Sequence, residues 1–159
     1  MHEGVLFRSG ALDRVEETAQ LPPVSCILNL RSIHDRRFEG IRQLSVPAID
    51  SKSNYDVTHA RAQQWLVDVM LALTYRAAFP LLIHCTAGKD RTGVVIAFTL
   101  IALGIDARII EAEYAMSQGD LHPELFNTAV SMMPGLQAER MQDPIIADLR
   151  LRLLYSPQR

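Results

Sequence analysis

This sequence predicts an α/β domain built on a central, mostly parallel sheet, and three observations carry the prediction. From Val5 to Cys85, short apolar runs alternate with helical patterns; the strongest runs are continuous rather than alternating polar with apolar; and beyond Gly93 every pattern is helical. Continuous runs belong to strands covered on both faces, which calls for helices on either side of the sheet. Four to five strands and a helical C-terminal half fit in 159 residues, enough for one core and too few for two ordinary domains, so residues 1–159 are expected to form a single domain.

Val5-Leu6-Phe7-Arg8 predicts the first strand, and Ser9-Gly10 a cap for a helix over Ala11 to Thr18 that Pro22-Pro23 cannot continue. Val24 to Leu30 is a second, continuous apolar strand, and Ser32-Ile33-His34-Asp35 has the spacing of a capping box opening a short helix. Leu44 to Ile49 is a weaker third strand whose Pro47 suits an edge or a strand end. It runs into Asp50 and a polar loop ending near Asp56, where a helix N-cap is expected. Ala62, Leu66, Val69, Met70, Leu73 and Ala77 recur at three and four residues along a long helix that Pro80 ends. Trp65 and the methionines fall in such stripes and read as core.

Leu81 to Cys85 is the fourth strand. The helix after it, with Val94, Val95, Ile96, Phe98, Leu100, Ile101 and Leu103, has almost no polar face and reads as the buried centre, closed by Gly104. Helices over Asp106 to Ser117, over Asp120 to Met133 with Pro134-Gly135 as the stop, and from Asp143 with Pro144 at its first position complete the chain.

With 48% hydrophobic and 21% charged residues and a net charge of -2, the composition is that of a soluble globular protein and gives no reason to expect a nucleic-acid or membrane partner. Arg91 and Asp106 bracket the longest apolar stretch, which is too short to cross a bilayer. Two distant cysteines, Cys26 and Cys85, and no charged-then-apolar segment at the start point to a reducing, cytoplasmic setting without a disulfide framework. Cys26, in mid-strand, is either a core residue or a redox partner for Cys85.

In a parallel sheet, ligands bind beside the carboxyl ends of the strands, which brings Arg8-Ser9, Arg31 to Arg37, Asp50 to Asp56 and the loop after Ile83 to one rim. The stretch Ile83-His84-Cys85-Thr86-Ala87-Gly88-Lys89-Asp90-Arg91-Thr92-Gly93 joins a strand to a helix N-terminus, where backbone N–H groups and the helix dipole suit an oxyanion. A helix N-terminus, N–H donors and an arginine each favour a cysteine thiolate over the thiol. Arg91, six residues after Cys85, closes the loop around a tetrahedral dianion with a planar fork that lysine cannot reproduce.

His-Cys-x-x-Gly-Lys-x-Arg-Thr-Gly resembles the signature loop of the cysteine-dependent protein tyrosine and dual-specificity phosphatases, and with Lys89 it is most similar to their atypical bacterial and phosphoinositide-directed branches. Phe7-Arg8-Ser9-Gly10-Ala11-Leu12 and Asn29-Leu30-Arg31-Ser32 are similar to two further motifs of the bacterial branch, whose second motif usually opens with Asp and carries a later Glu where this chain has Asn29 and Asp35. The stretch between Ile49 and Leu81 leaves no room for the lid insertion of some relatives, so an open, shallow pocket is expected.

The resemblance implies that Cys85 attacks phosphorus, that Arg91 and the N–H groups of Thr86, Ala87, Gly88, Lys89 and Asp90 hold the phosphate oxygens, and that a cysteinyl-phosphate forms. A carboxyl must protonate the leaving oxygen; Asp50 follows a strand as that acid does in dual-specificity relatives, with Asp90 as the alternative. Thr92 would serve the cysteine sulfur and His84 would orient the loop through backbone hydrogen bonds. Lys89 is either a solvated residue or a second cation for phosphorylated headgroups, and Arg31, Arg36 and Arg37 form either a solvated short helix or a substrate-binding rim. His84 lacks companions for a metal, and the reaction needs neither metal nor cofactor. The expected partner is a phosphorylated protein or a phosphoinositide; a phosphate-binding module without turnover, or sulfur transfer or arsenate reduction on a similar loop, are the competing classes.

Overall fold

A computed structural model of the chain describes residues 4–141 and 143–155. Four parallel strands, β1 (Leu6–Ser9), β2 (Cys26–Asn29), β3 (Arg42–Ser45) and β4 (Leu81–His84), form one sheet in the order β1-β4-β2-β3. Among the described residues, five α-helices accompany it: α1 (Ala60–Tyr75), α2 (Asp90–Ala102), α3 (Ala107–Ala115), α4 (Pro123–Arg140) and α5 (Asp143–Tyr155). The α/β class, the parallel sheet and the helical second half are as the sequence predicts.

Side-chain alternation along the strands divides the core in two. Cys26, Leu28, Leu81 and Ile83 face a large core that all five helices help to fill, while Ile27 and Leu82 pack with Leu12 and Phe38 in a small one. Both faces of the sheet are covered, but the helices occupy one face only. Right-handed crossovers account for this. The connections β1 to β2 and β2 to β3 run across the sheet in the same direction and share the small-core face; β3 to β4 runs back and, with α1, takes the other.

The helix expected over Ala11 to Thr18 does not form; a single 3-10 turn occupies Thr18–Gln20. Only Leu12 and Val15 of that stretch reach the small core, too little apolar face to hold a helix. The capping box at Ser32 likewise opens no helix. Helix α1 starts after His59, whose Nδ1 accepts from Arg61 N–H at 3.2 Å, and Asp56 instead caps a turn by accepting from Thr58. Strand β3 lies at the sheet edge, as Pro47 suggests, and N–H groups of Val46 and Ala48 carry its pairing on to Asn29 O and Leu30 O at 3.0 and 3.2 Å.

Pro134 does not stop α4, which continues to Arg140. A proline inside a helix costs about 3 kcal/mol. Burial of Met133 and Leu136 recovers about 1.5–3 kcal/mol each, and the buried Gln137 amide donates to Phe98 O at 2.6 Å. Tertiary packing therefore outweighs the local stop signal.

Cys26 is fully buried at the start of β2, opposite Leu81, whereas Cys85 follows the far end of β4. Four residues of strand separate the two levels, about 13 Å, well beyond disulfide reach. Cys26 is a core residue, and burial pushes its thiol up from the ordinary value.

Gly88 and Gly40 separate two reasons for glycine. Both have left-handed backbone, φ 70° and 74°, but a Cβ on Gly88 would lie 2.5 Å from Ser9 O, while one on Gly40 would meet nothing within 4 Å. Gly40→Ala is expected to cost about 1–2 kcal/mol of left-handed strain and Gly88→Ala about 1–3 kcal/mol more from overlap, read by urea unfolding. Equal losses in the two variants would mean that contact with Ser9 does not constrain the loop.

Candidate active site

The last residues of the strands align in one row: Ser9 and Asn29 both pair with His84, and Ser45 pairs with Asn29. Since β4 is inserted between β1 and β2, the loop after it emerges at the middle of that row, where connections on either side diverge. Cys85 stands there, 2% exposed, between His84 and the N-terminus of α2. The loop is bolted to its neighbours: Ala11 N–H donates to Thr86 O at 2.9 Å, Leu30 N–H to His84 O at 2.9 Å, and Gly93 N–H to Lys89 O at 2.7 Å.

Arg91 is 3% exposed, and its guanidinium gathers the surrounding loops. Nη1 donates to Leu30 O (3.3 Å) and Ala48 O (3.1 Å), beyond β2 and β3; Nη2 donates to Thr86 Oγ1 (2.9 Å) and pairs with Asp50 Oδ2 at 3.0 Å. Nε has no hydrogen-bond partner in the protein. The Nε/Nη2 edge is thus the one that can offer a fork to an oxyanion, and Asp50, with a side chain 67% exposed, stands at that edge. Thr92 Oγ1, in the first turn of α2, is buried and unpartnered by protein.

The other expected site residues have different surroundings. Asp90 faces away into a tyrosine cluster: its Oδ1 accepts from Tyr55 OH at 2.6 Å, and Tyr55 OH meets Tyr114 OH at 2.7 Å. Burial first, then the bond to Asp90, pushes the Tyr55 hydroxyl far above its ordinary value, so Tyr55 keeps its proton and donates it. Lys89 is not a solvated residue; its ammonium donates to Asp120 O. Arg31 is 6% exposed and pairs with Asp13 at 2.8 Å, so it is neither solvated nor helical. Asp13 raises the Arg31 value above normal against the opposing effect of burial. Arg36 and Arg37 are exposed.

His84 does not bond the loop backbone through its ring. Nε2 lies 2.7 Å from Asp35 Oδ2, with both side chains buried. Because a carboxylate only accepts, Nε2 carries the proton. Asn29 shapes the same segment, accepting from Arg31 N–H at 2.7 Å and donating to Ile33 O at 2.8 Å. The departures at Asn29 and Asp35 therefore still organise the site, which explains why Ser32 to Asp35 forms no helix.

Three groups escaped the sequence reading: Asp35 as partner of His84, Tyr55 as partner of Asp90, and Arg8 as a brace. Arg8 Nη1 donates to both carboxylate oxygens of Glu113 (2.6 and 2.8 Å) and Nη2 to Gly88 O at 2.6 Å and Ser117 Oγ at 2.9 Å, tying the loop to α3. Among the described residues, no cluster of His, Cys, Asp or Glu could hold a metal ion.

Comparison with known proteins finds related phosphatases. A region of the triple specificity protein phosphatase PtpB of Mycobacterium tuberculosis is 46% identical over 68 residues, covering 43% of this chain and 24% of that protein. A protein of Cupriavidus necator named as a tyrosine-protein phosphatase is 43% identical over 167 aligned positions, covering 86% of this chain and 61% of its own length. The chain thus spans about a quarter and about three fifths of these relatives. Among solved structures, the core catalytic domain of the PP-IP phosphatase Siw14 of Saccharomyces cerevisiae superposes with TM-score 0.61 at 18% identity, covering 99% of this chain and 94% of that one. TpbA of Pseudomonas aeruginosa gives 0.53 at 19%, covering 96% and 88%. Those two likenesses concern the fold. The sequence profile of the tyrosine phosphatase family matches residues 1–152, and with Cys85 and Arg91 set on one loop at the middle of the sheet, this chain belongs to the tyrosine phosphatase family.

Proposed function

We propose that this chain hydrolyses phosphate monoesters as a protein tyrosine or dual-specificity phosphatase, through a phosphate held covalently on Cys85. One observation supports the reading: Arg91, carried by the same loop as Cys85, is held by Leu30 O, Ala48 O and Thr86 Oγ1 with its Nη2 3.0 Å from Asp50. In the first step the Cys85 sulfur bonds to phosphorus and the ester P–O bond breaks. Its oxygen takes the proton of Asp50 and leaves as an alcohol or phenol. Loop N–H groups and Arg91 hold the three equatorial oxygens throughout, which is where charge stabilisation acts. In the second step a water oxygen bonds to phosphorus and yields a proton to Asp50, while the S–P bond breaks to return the thiolate and release inorganic phosphate. Thr92, with its buried hydroxyl unspent on protein, would donate to the departing sulfur.

Asp50 suits the acid role because its carboxyl is exposed at the Arg91 edge, whereas Asp90 is occupied by Tyr55. For substrate, three rim cations support a singly phosphorylated ester, since Arg8 is taken by Glu113, Arg31 by Asp13 and Lys89 by Asp120 O, while Arg36 and Arg37 stay exposed. A phosphoinositide is the second reading, favoured by the likeness of the Cys85 loop with Lys89 to the phosphoinositide-directed branch. A thiol nucleophile and two unpaired cysteines support a reducing compartment, the cytoplasm.

Cys85→Ser is expected to abolish turnover of phosphotyrosyl peptide; retained activity would end the covalent reading. Arg91→Lys, which keeps the charge and loses the fork, is expected to lower kcat by about 10²–10³. In a panel of phosphotyrosyl, phosphoseryl and phosphothreonyl peptides and phosphoinositides, the phosphotyrosyl peptide should have the highest kcat/KM. A higher value for a phosphoinositide would reverse the order of the two substrates.

A further inference from the structure

A carboxylic acid on an exposed loop serves as proton donor only if the loop holds it, since a misplacement of about 1 Å can cost about 10²-fold in rate. Two consecutive residues near Asp50 supply the constraint. Asn54, 5% exposed, donates one amide hydrogen to Ile49 O at 2.8 Å and the other to Ser51 O at 2.7 Å, the carbonyls on either side of Asp50. Since both partners only accept, the atom facing them is the nitrogen. Asn54 N–H bonds Ser51 O at 3.2 Å and Ser53 N–H bonds Ser51 Oγ at 3.1 Å, so the turn is pinned through side chain and backbone together.

Tyr55, 4% exposed, fastens that turn to the phosphate loop. Its hydroxyl donates to Asp90 and must therefore accept from Tyr114, whose oxygen in turn accepts from His122 N–H at 3.1 Å. The relay runs in one direction and ends on Asp90. Asp90 is bonded in sequence to Arg91, and Arg91 pairs with Asp50 at 3.0 Å, so the contacts close a ring: Asp50, Arg91, Asp90, Tyr55, Asn54 and back to Asp50.

We propose that Asn54 and Tyr55 are positioning residues that hold Asp50 in place as the proton donor, with Asp90 as their anchor in the phosphate loop. This rests on the reading of Asp50 as the acid given above. It assigns the carboxylate inside the loop a mechanical task and makes the acid a built-in part of the pocket, formed before substrate arrives.

The experiment is a series of aryl phosphates from nitrophenyl to phenyl phosphate, together with phosphotyrosyl peptide, measured on the parent, Asp50→Asn, Tyr55→Phe, Asn54→Ser and Asp90→Asn, each with its vanadate inhibition constant. Tyr55→Phe keeps the ring in its socket, which guards against loss of fold. Asp50→Asn should lose about 10²–10⁴-fold on phenyl phosphate and far less on nitrophenyl phosphate, which needs little help from an acid. Tyr55→Phe and Asn54→Ser should reproduce that pattern at about 10–100-fold, with vanadate inhibition near the parent's. Asp90→Asn, whose amide oxygen still accepts from Tyr55, should keep the parent's leaving-group dependence whatever its rate.

If Asp50→Asn does not discriminate between leaving groups, the acid assignment itself fails. If it does, while Tyr55→Phe and Asn54→Ser lower every substrate equally or leave all unchanged, the positioning role alone is overturned. A leaving-group pattern in Asp90→Asn matching that of Asp50→Asn would make Asp90 the donor and overturn it as well.

Discussion

The rest of the site depends on satisfying one buried cation. Withdrawing a guanidinium from water costs several kcal/mol unless its N–H groups find acceptors. Arg91 finds them in three segments: Leu30 O after β2, Ala48 O and the Asp50 carboxylate after β3, and Thr86 Oγ1 in its own loop. No stretch of chain could supply these alone. The ends of β2 and β3 must arrive level with the loop after β4, which is what the aligned strand register accomplishes. The parallel sheet is in this sense the support of the arginine, and the arginine in return draws together loops that would otherwise be independent.

A second consequence of the topology is the difference between the two faces. Helices can cover the side used by the β3 to β4 crossover and everything after it, so that face acquires a deep core from Val69, Met70, Val95, Phe98 and Phe126. The opposite face is crossed by two segments without α-helix, one carrying Leu12 and the other Phe38. Those same segments bring Asp13 to Arg31 and Asp35 to His84, the residue before Cys85. Irregular backbone there is suited to delivering single polar groups to the site.

What the sequence revealed and what it hid follow a physical division. Local signals were legible: the continuous strand ending at His84, the glycine-rich turn, the buried helix behind it and the six-residue offset of Arg91 from Cys85 all lie within one short window. Contacts between distant residues were not. Arg8 and Glu113 stand 105 positions apart, His84 and Asp35 49, Tyr55 and Asp90 35, and nothing in a single sequence couples such pairs. Where a local signal failed, tertiary packing had overruled it, as at Pro134, where the apolar residues on both sides are buried. At Ser32 to Asp35 the carboxylate expected to cap a helix is spent on His84.

The separation of Cys26 from Cys85 bears on how such a site withstands oxidants. A thiolate that has been oxidised to a sulfenic acid is rescued most directly by a neighbouring thiol that condenses with it. These 159 residues contain no third cysteine, and Cys26 lies at the opposite end of the strands, enclosed in the core. Oxidised Cys85 therefore has no resolving partner within this fold. Its recovery would draw on a backbone nitrogen or on small thiols that reach Cys85 from outside.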